Sequence, residues 1–509
     1  MLLAEVVDVW SVVSATRSRR EKVARLAECL ARMDADEVAI GAVYLAGSVR
    51  QERLGVGWRT VVDVAVGPAA APTLRLRDVD VVLDDIAAAA GPGSQSTRRK
   101  ALEGVFGAAT ADEQRFLQGL ILGELRQGAL AGVAAQAIAA AWQVPEADVR
   151  RALMLHADIG AVARAARAGG GDALRAFRLT LFRPLSPMLA QTSATVGDAL
   201  AGLVAAAVDD KIDGARVQVH RLGDEVRVYT RSLRDVTARS TEVVAVAAAL
   251  DVGSIVLDGE VVALRDDGRP HPFQDTMSRF GTDLQRAGRQ PALTPFFFDC
   301  LHLDGSDLLD APTSQRIAAL ERVVPAEHLV ARRIVNEVDA AEAVLADALG
   351  RGHEGVMVKA LDAPYEAGRR GAAWRKVKPA HTLDLVVLAV EWGSGRRHSW
   401  LSNLHLGARN ADGGFVMLGK TFKGMTDTML TWQTQRLLEL ETHRDGHIVH
   451  VRPELVVEVA FDGVQTSSRY PGGVALRFAR VKRYREDKSA DEVDTIDLVR
   501  ALQASPPPD

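Results

Sequence analysis

From Met1 to about residue 180, apolar positions recur every three or four residues, the spacing of helices that bury one face. In Asp112-Glu-Gln-Arg-Phe-Leu-Gln-Gly-Leu-Ile-Leu-Gly-Glu-Leu-Arg126 this spacing predicts one helix with Phe116, Leu120, Ile121 and Leu125 on its apolar side. Alanine-rich helices are expected over Val133 to Trp142 and Glu146 to Leu155, with loops at Leu54-Gly-Val-Gly-Trp58 and Gly91-Pro-Gly-Ser94. After Gly169-Gly-Gly171 the texture changes. Arg183-Pro-Leu-Ser-Pro-Met-Leu-Ala190 reads as an extended linker, because each proline biases the residue before it away from helix.

Strand-length apolar runs follow. Ala215 to His220 and Glu225 to Thr230 flank Leu222-Gly-Asp as a hairpin, and Ser254 to Leu264, Pro295 to Leu303 and Gly355 to Ala360 are further strands. Helical stretches lie between them at Thr237 to Leu250 and Val338 to Leu349, so the pattern to about Pro379 is mixed α+β. Beyond it, strands are expected at Leu383 to Trp392, Leu401 to Arg409, Gly414 to Thr421, Glu454 to Phe461 and Ala475 to Arg485, with one helix around Met429 to Thr442. Five strands with one inserted helix suit a small barrel of the OB type. Ser489-Ala-Asp-Glu492 has capping-box spacing and should open a last helix to Leu502. The expected fold class is therefore multidomain: an all-α region over 1–182, an α+β domain over 183–380, an OB-fold β-barrel over 381–504 and a disordered tail at 505–509.

Composition narrows the function classes. A chain of 509 residues exceeds one core. A net charge of −4 argues against a uniformly basic nucleic-acid coat but permits local basic strips. Two distant cysteines, Cys29 and Cys300, exclude a disulfide framework and a four-cysteine zinc site, and fit a reducing compartment. No apolar run reaches the roughly 18 to 20 residues that span a bilayer. The N-terminus carries acids inside its apolar stretch, unlike a signal peptide. The expected setting is cytoplasmic, without a membrane partner.

The chemistry shows in how the cations are distributed. The chain has 10 lysines against 52 arginines, and Lys211 is the only lysine between residues 101 and 358. Guanidinium stays protonated at working pH, whereas an amine can lose its proton and act as a nucleophile. A lone lysine in Val208-Asp-Asp-Lys-Ile-Asp-Gly-Ala-Arg216 thus marks a position that needs an amine. Lys-x-Asp-Gly alone is a weak signal; its company raises it. In order come Arg216, Arg231, Leu257-Asp-Gly-Glu260, Phe298-Asp299, Glu354-Gly-Val-Met-Val-Lys359, Trp374-Arg-Lys-Val-Lys378 and Arg477-Phe-Ala-Arg-Val-Lys-Arg-Tyr-Arg-Glu-Asp-Lys488.

This series, over about residues 185 to 488, resembles the six ordered motifs of the covalent nucleotidyltransferases, in particular the ATP-dependent DNA ligases. The helical N-terminal region is similar to their DNA-binding domain in position, size and class. The resemblance implies that Lys211 attacks the α-phosphate of ATP to give lysyl-AMP, that AMP passes to a 5′-phosphate in nicked double-stranded DNA, and that the 3′-hydroxyl displaces it. Within that resemblance Glu260 accepts from the ribose and helps hold metal, Phe298 stacks on adenine, and the backbone at Asp209 reads the base edge with its side chain incidental. Glu354 is the candidate Mg2+ ligand, a hard cation held by one or two carboxylates plus phosphate oxygens. Lys376 and Lys378, two apart on a strand, share a face and reach the α-phosphate. Arg216 and Arg231 contact phosphate or ribose, Arg370 contacts the nucleotide, and Arg480 and Lys482 orient the departing pyrophosphate. Arg216, Lys376 and Lys378 are expected to lower the Lys211 pKa. One departure is visible: Ala479 stands where the family usually has proline.

Two other readings stay open on the residues. RNA ligases and GTP-using capping enzymes share the lysine chemistry but usually lack some 180 helical residues ahead of it. A non-catalytic DNA-binding protein built on a decayed ligase would be expected to have lost Lys211, Glu260, Glu354 or the Lys376/Lys378 pair. An NAD-dependent ligase is disfavoured by the missing zinc cysteines. His271, His302, His353 and His398 lack metal-ligand spacing and are expected in core or surface roles. A monomer is expected.

Overall fold

The computed structural model describes residues 1–51, 54–125, 131–271, 273–279, 292–366, 370–379 and 381–504. The chain divides into two compact units, one of Met1–Met188 together with Glu366, the other of Leu189–Tyr365 and the chain from Arg370 onward. The sequence-based barrel region lies in the second, as does the sequence-based α+β region apart from residues 183–188 and Glu366.

The first unit is built of helices from Leu3–Ala15 to Ile159–Arg175. Leu3, Val6, Leu26, Phe116, Leu120, Ile138 and Val162 meet in one apolar core. Polar end caps fix the helix starts. Ser18 accepts from the Glu21 amide, and Thr110 and Glu113 form a reciprocal capping box. That box starts a helix over Ala111–Leu122, which stops at Gly123 in the left-handed region (φ 67°). The single helix expected to run to Arg126 is therefore shorter: Leu125 lies beyond it, and Arg126 falls outside the described residues. At Gly169 and Gly170 the backbone leaves helical geometry, and a further helical segment follows this kink to Arg175.

The second unit opens with two five-stranded sheets. One has the order Leu189–Thr192, Arg370–Val377, Gly355–Ala360, Ala206–Lys211, Arg332–Val335. The other has the order Glu225–Thr230, Ala215–Leu222, Ser254–Ala263, Leu293–Leu303, Ser306–Asp307. The end of the expected linker thus joins a sheet, through Leu189–Thr192. The first helical stretch is shorter than its pattern, a 3₁₀ turn at Thr237–Arg239 and a helix over Thr241–Ala248. Register decides what faces what. Lys211 pairs with Gly355, Arg216 with Glu260, and Lys359 with Trp374.

The C-terminal strands follow the OB order. His381–Trp392 pairs with Leu401–Arg409 and Val456–Phe461; these pair in turn with Phe415–Thr421 and Arg480–Tyr484. The circuit closes where the Val481 amide donates to the Lys423 carbonyl (2.9 Å) and the Thr421 hydroxyl to the Ala479 carbonyl (2.6 Å). Leu385, Leu404, Leu418, Val457 and Val481 fill the barrel. Three expectations change here. The run from Ala475 to Arg485 is two strands, Val474–Arg477 and Arg480–Tyr484, broken at Phe478, whose φ of 54° no strand accommodates. The expected helix ends at Glu439, and an added hairpin, Glu441–Asp445 with Ile448–Val451, follows it. The Ser489/Glu492 capping box forms, but on a 3₁₀ turn, and the last helix starts at Ile496. The tail at 505–509 lies outside the described residues. Among the described residues no helix is long and apolar enough to cross a membrane.

One polar cluster in the barrel sets a pH dependence. The Glu391 carboxylate accepts from Asn403 Nδ2 (2.6 Å) and from the Lys420 amine, and His405 Nε2 lies 3.0 Å away. Burial alone would raise this carboxyl, but these partners hold it at about 2. A carboxyl whose folded value lies below the unfolded value of about 4.3 stabilises the fold above that pH, and the stabilisation is lost as pH falls toward 2. Thermal melting is therefore expected to drop across that window, and Glu391→Gln to flatten the drop.

Candidate active site

Lys211 ends the Ala206–Lys211 strand, where the antiparallel register places it beside Glu354-Gly355. The approach is close enough to require glycine twice. A Cβ on Gly355, at φ 145°, would strike the Val377 carbonyl oxygen, and one on Gly214 would strike the Val261 carbonyl oxygen. The glycine of Lys-x-Asp-Gly is thus a packing requirement, with the Lys211 loop drawn against the Glu260 strand.

The Lys211 amine donates to Glu354 Oε2, and the Lys378 amine donates to Glu354 Oε1 at 2.7 Å. Lys378 lies one residue past the end of the Arg370–Val377 strand. Its amine also donates to Asp462 at 2.5 Å, and Arg480 donates to the other Asp462 oxygen at 3.0 Å. Arg477 pairs with Asp213, two residues from Lys211. Segments some 270 residues apart in sequence therefore converge on one row of alternating charge.

The electrostatics reverse one expectation. Burial lowers the proton affinity of the Lys211 amine, but the carboxylates of Glu354, Glu260 and Asp213 outweigh it, and the net direction is up. It is Lys376 that is pushed down, by burial and then by Lys378 and Lys211. Burial raises the Glu260 carboxyl to about 7 against the pull of Lys211 and Arg216. Glu354 resists its burial and stays below the usual carboxylate range because two amines grip it.

A second group adjoins the first. The Arg216 guanidinium donates to both Asp258 oxygens (3.0 and 2.6 Å), and the Tyr365 hydroxyl donates to the same carboxylate (2.6 Å). So held, Arg216 lies 5.5 Å from the Phe298 ring centroid, and Phe298 packs edge-on to Trp374 at 5.9 Å. Phe296 and Phe298 border a small apolar cluster with Ile212, Val262 and Val330, whereas Phe297 on the opposite face is buried in the sheet core. The Lys359 amine sits 4.6 Å from the Phe298 centroid and pairs with Asp209 at 2.6 Å. Arg332 completes a buried triad, donating to Asp209 at 2.5 and 2.8 Å. The Asp209 carboxylate, expected to be incidental, is the counter-ion of both.

Comparison with known proteins agrees with this geometry. Residues 65–139 match the family description "DNA ligase N terminus", 187–378 "ATP dependent DNA ligase domain" and 397–488 "ATP dependent DNA ligase C terminal region". A "Probable DNA ligase" of Beutenbergia cavernae is 56% identical over 511 residues, covering 99% of each chain. One from Anaeromyxobacter sp. (strain K) is 58% identical over 510 residues, again with 99% of each chain covered. The chain belongs to the ATP-dependent DNA ligases. The solved structure named Pmar-Lig_PreS3 shares the fold with a TM-score of 0.61 at 18% identity, covering 94% of this chain and 99% of that one.

In this ligase Lys211, Arg216, Glu260, Phe298, Glu354, Lys376 and Lys378 gather around the two groups just described, with Arg480 reaching them through Asp462. Arg231 does not join them; it is an exposed turn residue just past the Glu225–Thr230 strand. Lys482 is exposed on its strand. Lys488 and Arg485 instead bind Asp384 within the barrel domain. Arg370 opens its strand, but its side chain lies outside the described residues. His302 is held by Ser254 and Asp307, His353 is a partly buried neighbour of Asp210, His271 lies 3.6 Å from Asp275 and His398 is exposed. Among the described residues no group of three or more His, Cys, Asp or Glu could hold a metal ion. Sequence reasoning missed Asp462, Asp213, Tyr365 and Arg332. All four bind cations or their partners; Asp213 stands inside the Lys-x-Asp-Gly segment that could have flagged it, whereas Tyr365, Asp462 and Arg332 lie outside the motif segments.

Proposed function

We propose that this ligase seals nicks in duplex DNA through a lysyl-AMP formed on Lys211. The observation that supports it best is the Lys211 amine and the Lys378 amine sharing the Glu354 carboxylate, beside the group in which Arg216 lies over the Phe298 ring. In the first step the Lys211 nitrogen lone pair forms a bond to the α-phosphorus of ATP, the bond from phosphorus to the bridging oxygen breaks, and pyrophosphate leaves; the amine gives up its proton. A P–N bond suits a relay because nitrogen leaves readily once protonated. AMP then moves to an oxygen of the 5′-phosphate, and the 3′-hydroxyl displaces it. Such transfers depend on positioning and on neutralising charge, which accounts for many cations and few acid–base groups.

Phe298 stacks on adenine, and the backbone at Asp209 reads its edge. Glu260 accepts from the ribose. Lys376 and Lys378 bind the α-phosphate, while Arg216, Arg231 and Arg370 hold ribose or phosphate and later the nick. Arg480 and Lys482 orient the pyrophosphate. Magnesium fits the donor set: the buried Glu260 carboxyl forms no hydrogen bond or ion pair among the described residues, so its oxygens suit a hard cation. Glu260 and Glu354 would hold it, and when bound it neutralises phosphate charge. Residues 1–182 serve as the DNA-binding domain, 183–380 as the adenylation domain and 381–504 as the OB domain of a cytoplasmic monomer.

Incubation with α-labelled ATP and magnesium, peptide mapping and sealing assays on nicked DNA and nicked RNA test the reading. The expected result is label on Lys211 and joining of nicked DNA with ATP. Preference for GTP or for RNA ends would refute it.

A further inference from the structure

We propose that Asp462 is a positioning residue for the ATP-dependent step: the carboxylate that pairs Lys378 with Arg480 and so docks the C-terminal strip onto the Lys211 site. The proposal rests on the reading of Lys211 as the nucleophile and goes beyond it, since Asp462 lies outside every motif segment of the sequence. Asp462 follows the Val456–Phe461 strand, and its side chain is 13% exposed. One oxygen accepts from the Lys378 amine at 2.5 Å and the other from Arg480 at 3.0 Å. The Lys378 amine also holds Glu354, which holds Lys211. The resulting row, Arg480, Asp462, Lys378, Glu354, Lys211, alternates sign at every member. Burial would raise the Asp462 carboxyl, but Lys378 and Arg480 hold it below the usual range, so it carries its charge at neutral pH.

Removing that charge, as Asn does, leaves two cations facing each other across a neutral amide, and like charges in a half-buried site repel. Arg480 would swing away and Lys378 would be held by Glu354 alone. The Arg477 pair with Asp213 would be the remaining tie described between the strip and the Lys211 loop. The strip acts on departing pyrophosphate, which exists only in the first step. Sealing a nick that already carries AMP needs Lys378 and Glu354 but no pyrophosphate contact. Loss of Asp462 should therefore divide the two reactions.

The test uses the full chain and compares it with Asp462→Asn and Asp462→Glu. Single-turnover formation of lysyl-AMP is followed across ATP concentrations, together with sealing of a nick bearing a 5′-adenylate and thermal melting. For Asp462→Asn the limiting rate of lysyl-AMP formation is expected to fall about 10-fold to 100-fold, with half-saturation by ATP changed less than about threefold and sealing of the adenylated nick within about twofold. Asp462→Glu, which keeps the charge, should recover most of the rate, and melting should stay within about 2 °C in both. Equal adenylylation by Asp462→Asn and the unaltered chain would overturn the proposal, as would a parallel loss of both reactions with lowered melting. No adduct in the unaltered chain would overturn the Lys211 assignment itself, a distinct result.

Discussion

Lys211→Ala is expected to abolish lysyl-AMP formation, lowering it by more than about four orders of magnitude, while nicked DNA is bound within a few-fold of normal. Lys211→Arg should fail equally. Arginine keeps a positive charge opposite Glu354, so the ion pair survives, but guanidinium does not shed its proton and offers no nucleophile. The pair of variants separates charge from nucleophilicity, which alanine alone cannot do. Glu354 is not left unpaired in either, because Lys378 still donates to it at 2.7 Å, so a loss of activity cannot be put down to a stranded buried carboxylate. The measurement is retention of label from α-labelled ATP after denaturation, beside a binding titration with nicked duplex. Label retained by Lys211→Ala would move the nucleophile elsewhere, and substantial activity in Lys211→Arg would make position 211 a mere counter-ion.

Most of the architecture was legible because it rests on local pattern. The alternation through Gly355 to Ala360 and Leu401 to Arg409 gives those strands to the residue, since one face of each is continuously buried. The site was legible for a different reason: scarce lysines and repeated Asp-Gly or Glu-Gly pairs mark places where backbone crowding and amine chemistry coincide, as the collisions at Gly214 and Gly355 explain. What stayed hidden depends on tertiary contact. The break at Phe478 lies within a run of interleaved apolar and basic residues that reads as one strand, because a positive φ leaves no mark on hydropathy. The upward shift at Lys211 could not be read from a list of nearby cations, since it depends on a Glu354 carboxylate 143 residues away lying against the amine. Asp462 was invisible for the same reason.

Asp209→Ala is expected to be the most destabilising single change in the central sheets, costing about 3 to 5 kcal/mol, the usual range for removing one partner of a buried ion pair. Asp209 is 1% exposed, and its carboxylate is the counter-ion for Lys359, 2% exposed, and for Arg332. Burial alone would raise this carboxyl; Lys359 and Arg332 reverse the direction and hold it ionised. Without it two buried cations remain side by side, and only Lys359 can relieve them by losing a proton, toward which burial already pushes it. The double variant Asp209→Ala, Lys359→Met should therefore regain part of the loss, because a thioether side chain fills the same channel without charge. Function should follow stability by a short route: Arg332 and Lys359 both donate to the Phe298 carbonyl (2.9 and 3.3 Å), so release of the triad frees the strand that carries the proposed adenine-stacking ring. Urea unfolding and ATP titration of the single and double variants check both halves. If the single variant unfolds at the same urea concentration as the unaltered chain, the triad is not a strut, and Asp209 reverts to the incidental side chain its sequence context suggested.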